Sequence, residues 1–199
     1  DLVLNHADPN IEEQIQDWLS AVNVTYNCGP MCVYINEWMA SRLSGSDWFE
    51  LYNAGRKTVN LTGYYLTDNL TTPTQFQIPD GYTIPPGGFL LVWADSSGGP
   101  NDPATGELHV NFSLKTSGES IGLYYPDGVT LVDGITFGAQ TTDVSEGRSP
   151  DGTPTRAFFT SPTPGAPNGD PQPLVDCGPT VVNDYAPDRF SPGSGNSME

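Results

Sequence analysis

The stretch Val33-Tyr34-Ile35-Asn36-Glu37-Trp38-Met39-Ala40-Ser41-Arg42-Leu43-Ser44-Gly45-Ser46-Asp47-Trp48-Phe49-Glu50-Leu51-Tyr52-Asn53 reads as two strands joined by a polar turn. Both arms are rich in β-branched and aromatic residues, and Ser44-Gly45-Ser46-Asp47 punctuates them. In the second arm Phe49 and Leu51 alternate with Trp48, Glu50 and Tyr52, so one set is expected to face a core and the other the opposite side of the sheet.

Outward from this hairpin, turn signals recur at short intervals. Asn53-Ala54-Gly55, Pro79-Asp80-Gly81, Pro86-Gly87-Gly88, Pro126-Asp127-Gly128 and Pro150-Asp151-Gly152 each combine a residue that presets a turn with a glycine free to take a positive φ. Short strands at this spacing predict an all-β sandwich. Phe89 to Trp93 is an apolar run of the kind expected for a strand buried on both faces. Trp48, Phe49, Leu51, Leu66, Phe89, Leu91, Trp93, Leu123 and Phe137 are the expected core.

Specific blocks run in order along the chain. They are Ile35-Asn36-Glu37, Asp47 to Asn53, Leu61 to Asp68, Ile84 to Ala94, Ser117 to Tyr124, Ser145-Glu146-Gly147-Arg148, Pro150-Asp151-Gly152 and Pro162 to Asn168. Together they resemble the lamin tail domain, an immunoglobulin-like β-sandwich, over residues 33–168. The resemblance is to the secreted or surface microbial kind rather than to nuclear lamins. There is no coiled-coil rod and no basic localisation run, and the sequence ends Ser197-Met198-Glu199 instead of in a C-a-a-X box. Members of this kind share no single activity, and a fold does not give a function.

Three segments are therefore expected: an extension over 1–32, the sandwich over 33–168, and a Pro/Gly/Asp-rich tail or linker over 169–199. Within the extension a short amphipathic helix is expected over about 8–22, with Asn10 and Glu13 in a capping-box pattern. Ile11, Ile15, Trp18, Leu19 and Val22 fall on one face of that helix. Such a stripe needs a surface to cover, either its own sandwich or a neighbouring molecule. In the tail, Leu174-Val175 and Thr180-Val181-Val182 are isolated apolar patches.

The 199 residues carry 7 basic against 24 acidic side chains, a formal net charge of −17. That balance repels phosphate backbones and anionic membranes, so nucleic-acid binding is not expected. No apolar run nears the roughly 18 residues that cross a bilayer, so no membrane insertion is expected. The chain opens on Asp1 rather than Met and is expected to be either a processed product or an excised piece. A secreted, extracellular or cell-surface location is expected from the cysteines, the scarcity of lysine and the glycosylation triplets. Those triplets begin at Asn23, Asn60, Asn69 and Asn111, with Asn60 and Asn69 expected to be accessible and Asn111 less so.

Cys28, Cys32 and Cys177 imply one disulfide and one cysteine left over in an oxidising compartment. Two pairings compete, Cys28 with Cys32, closing a tight loop, and Cys28 with Cys177, stapling the two appendages together. His6 and His109 stand far apart, which gives zinc little support.

A P-loop and G-x-G-x-x-G are both missing, and neither histidine lies in a recognisable catalytic motif. Glu37 and Glu50 are the one carboxylate pair worth weighing for acid/base chemistry, and a structural role is the expectation for both. The chain is accordingly expected not to be an enzyme and to need no cofactor. Calcium is the one metal to weigh, on Asp95, Asp102 and Glu107 of the polar loop 95–107, whose order follows neither an EF-hand nor a nonapeptide repeat. The leading expectation is an extracellular structural module that associates with itself, as in a fibre, or attaches to a surface. The alternative is a glycan- or calcium-binding accessory domain of a larger secreted enzyme.

Overall fold

A computed structural model of the chain describes residues 32–177. The helix expected over 8–22, with Ile11, Ile15, Trp18 and Leu19, lies outside the described residues, as do Asn23, Cys28, Val181 and Val182. Twelve strands are described, β1 (Val33–Met39), β2 (Asp47–Asn53), β3 (Val59–Asn60), β4 (Tyr65–Thr67), β5 (Phe76–Gln77), β6 (Thr83–Ile84), β7 (Phe89–Ala94), β8 (Leu108–His109), β9 (Ser120–Tyr124), β10 (Leu131–Thr136), β11 (Ser145–Arg148) and β12 (Arg156–Phe159). A six-stranded sheet runs β12-β11-β1-β2-β7-β8, a four-stranded sheet runs β10-β9-β4-β5, and β3 pairs with β6. Every pairing is antiparallel except β7 with β8.

The opening hairpin forms as expected, with Phe49 and Leu51 in the core and Trp48, Glu50 and Tyr52 on the other face. In β1 the alternation breaks. A bulge between Ile35 and Glu37 sets Ile35 opposite Leu51 but Glu37 opposite Glu50. The extra residue, Asn36, reverses which parity points inward, as a β-bulge must. Val33, Ile35 and Trp38 consequently join the core, and Glu37 shares the outer face with Glu50. The four-stranded sheet contributes Leu66, Ile121, Leu123 and Ile135 to that core.

One expectation about β7 is corrected. The strand is not buried on both faces: Leu90, Val92 and Ala94 are buried, while Phe89, Leu91 and Trp93 are only half-buried. Their side of the sheet is covered by partial neighbours, Tyr52 beside Phe89 at 4.9 Å between ring centroids and His109 beside Trp93 at 6.5 Å. Trp48, Phe49, Leu51, Leu66, Leu123 and Phe137 are buried.

Candidate functional site

The outer face of β1 and β2 is closed by a strap, residues 162–168, that follows β12. Beneath it lies a buried polar cluster. Asn36, the bulged residue, donates from Nδ2 to Glu50 Oε1 at 3.0 Å and to Asp151 Oδ1 at 2.9 Å. Its own Oδ1 accepts the Gly152 N–H at 3.0 Å. Gly152 holds φ +68°, the left-handed turn expected of Pro150-Asp151-Gly152.

The strap is tied to this cluster residue by residue. Thr163 donates to Glu37 Oε2 through Oγ1 at 3.0 Å and to Oε1 through its N–H at 3.2 Å, and Ser145 Oγ donates to the same Oε1 at 2.5 Å. Gly165 N–H donates to Glu50 Oε2 at 2.8 Å. Asn168 donates its N–H to Asp151 Oδ1 at 2.9 Å and its Nδ2 to the Asn36 carbonyl at 3.4 Å. Gly147 is what lets Asn168 in: a Cβ there would lie 2.7 Å from both Asn168 Nδ2 and the Asn36 carbonyl oxygen.

Glu37 and Glu50 are fully buried. Burial pushes the Glu50 carboxyl up to about 8, with the charges of Glu37 and Asp151 adding to it against the hydrogen bonds from Asn36 and Gly165. Burial likewise raises Glu37, opposed by the bonds from Ser145 and Thr163. Each carboxyl oxygen of the pair already accepts a hydrogen bond from the fold. These bonds make the cluster a clasp that holds strap to sheet.

At the Met39 end, beside the strap, lies a cleft of about 370 Å³ lined by Met39, Trp48, Pro162 and Pro164, with Arg42 and Asp143.

The three calcium candidates are not brought together. Asp95 accepts the Ser97 N–H at 2.9 Å and faces His109 Nδ1 at 2.7 Å, whereas Asp102 Oδ1 caps the Ala104 N–H at 2.9 Å. Asp102 and Glu107 meet through their backbones. Among the described residues no group of three or more His, Cys, Asp or Glu side chains is gathered for a metal. Asn60, Asn69 and Asn111 are all exposed, Asn111 more so than expected because Phe112 turns inward beside it.

The disulfide corrects both pairings weighed from sequence. It joins Cys32 to Cys177, with 5.7 Å between their Cα atoms. The tail adds a strand-like rung beside β2: Val175 donates its N–H to the Ala54 carbonyl at 2.8 Å and accepts from Arg56 N–H at 3.1 Å. Ala54 in turn donates to the Cys32 carbonyl at 2.8 Å, so one ladder carries Cys177 to the start of β1. Sequence reasoning missed this because the rung at Gly55 and Val175 is a contact between segments far apart in the chain.

A family model described as Lamin Tail Domain matches residues 30–139, more than half of the chain. The chain belongs to the lamin tail domain family. No curated protein matches it. The matched region holds the hairpin and most of both sheets, and β11 and β12, which lie beyond it, pair onto the same six-stranded sheet. Lamin tail domains are a non-catalytic, immunoglobulin-like family often involved in protein interactions. Among the described residues no helix is long and apolar enough to cross a membrane, and the disulfide is compatible with an extracellular location.

Proposed function

We propose that this lamin tail domain is an extracellular structural module whose partner is a further copy of itself, the subunits joining head-to-tail through the terminal segments. The Cys32–Cys177 bridge is the observation that carries the reading. It joins residue 32, at the start of β1, to residue 177, so the two terminal segments depart from one covalently fixed point of the sandwich. A contact between two different surfaces is heterologous, and repeating it produces a filament where the rotation does not close a ring. A buried clasp in which every oxygen of Glu37 and Glu50 already accepts a hydrogen bond suits a scaffold better than a reaction centre.

The test is sedimentation velocity and electron microscopy of the chain across a wide concentration range, beside a version ending at Cys177. Concentration-dependent, elongated species that vanish in the shortened version support the proposal. Monomers alone at every concentration would overturn it.

A further inference from the structure

Resting on that reading, we infer that the acceptor for a neighbouring copy is the open edge of β12, Arg156–Phe159, and that the segment it takes is Thr180-Val181-Val182 of the second copy, added as a further strand.

Among the described residues β12 is the end of the six-stranded sheet and pairs with β11 alone. Its outer backbone groups carry no hydrogen bond among the described residues, the condition for strand addition. Phe158 on this strand is 63% exposed, a large apolar side chain left uncovered at an open edge. The other edges are poorer acceptors. β8 and β5 are two residues long. The edge of β10 is crossed by side chains, with Arg156 Nη1 donating to the Thr136 carbonyl at 2.8 Å and Asp133 accepting from Ile35 N–H at 2.8 Å and from Arg148.

Reach decides between docking within the molecule and docking on a neighbour. Phe158 is level with Glu146 and Trp38, two strands across from β1. From Cys32 to that level is about six residues of strand, roughly 20 Å at about 3.3 Å each, and a strand added outside β12 lies three spacings of about 4.8 Å to the side. The place is then about 24 Å from Cys32. Cys177 starts 5.7 Å from Cys32 and on the β2 side, away from β12, where Val175 is bonded to Ala54 and Arg56. From Cys177 a fully extended chain carries Val181 at most about 14 Å. At that reach Val181 falls short of the Phe158 position in its own molecule, so the added strand is supplied by a second copy.

Thr180, Val181 and Val182 are β-branched, the residue type that favours strands.

The test uses the full chain in a Cys28→Ser background. A Phe158→Cys chain mixed with a Val181→Cys chain is oxidised, with a Leu43→Cys chain replacing the first as control. A covalent dimer from the first mixture and none from the control is expected. Separately, Phe158→Lys and Val181→Pro should each weaken association at least tenfold in the unoxidised chains. Val181→Pro should leave the melting of the sandwich unchanged. If the parent chain assembles while both substitutions leave assembly intact and no cross-link forms, this edge is not the acceptor, although self-association stands. A parent chain that never assembles removes both.

Discussion

The backbone N–H of Gly165 reaches Glu50 Oε2 at 2.8 Å across 115 positions of sequence. That bond closes the strap over β2, and its acceptor is a carboxyl whose ionisation the fold resists.

Stability is expected to fall as pH rises. Folded Glu50 is raised from 4.5 to about 8, so below the lower value both folded and unfolded states hold the proton and nothing is lost. Between the two values the unfolded chain ionises and the folded one does not, which favours unfolding, and the loss levels off above the folded value. At about 1.36 kcal/mol per unit the span is on the order of 4 to 5 kcal/mol, and Glu37 acts in the same direction. Melting temperature measured from pH 5 to 9 should decline through this window. Glu50→Gln should start lower and show a flatter slope; an equally steep slope would assign the effect to other groups.

Gly147→Ala should destabilise by about 1 to 3 kcal/mol, the usual cost of forcing atoms into a packed site. The added methyl would meet Asn168 and the Asn36 carbonyl, which belong to the clasp and cannot both retreat. Urea denaturation measures it. An unchanged midpoint would mean that the strap is not held there.

Within β7, Leu90→Ala should cost about 2 to 5 kcal/mol, whereas Leu91→Ala should cost well under half of that. The first is 5% exposed and sits between the sheets; the second is on the half-covered face. Similar losses from both would put the strand back under cover on either side.

Removing the cross-link by Cys177→Ser should lower stability by about 2 to 5 kcal/mol. The bridge closes a loop with a sequence separation of 145 and anchors the rung at Val175. Peptide mapping without reduction should recover Cys32 joined to Cys177. Recovery of Cys28 joined to Cys32 would defeat the assignment.

The hairpin's second arm could be read because Phe49 and Leu51 obey a strict period of two. The first arm could not, because the Asn36 bulge makes Trp38 a core residue and Glu37 an outer one, against the alternation begun by Val33 and Ile35. β7 misled for a different reason: Phe89 to Trp93 is apolar throughout, and a run of that kind looks the same whether its second face is buried or merely shaded. Glu37 and Glu50 were legible as a pair on neighbouring strands. Their partners Asp151, Thr163 and Asn168 were not, since only the folded chain brings the strap over the sheet.

The covalent bond between Cys32 and Cys177 also sets how the subunit answers a pull. Tension applied between residues 31 and 178 passes through two side chains and one sulfur–sulfur bond, and the strands between them carry none of it. Under that pull the sandwich hangs beside the line of force like a bead fixed to a cord and does not unravel while the bridge holds, whereas a pull entering at β12 crosses β11 and β1 to reach the bridge. A reducing agent would turn the same subunit from an inextensible link into a spring with 145 positions of chain to release.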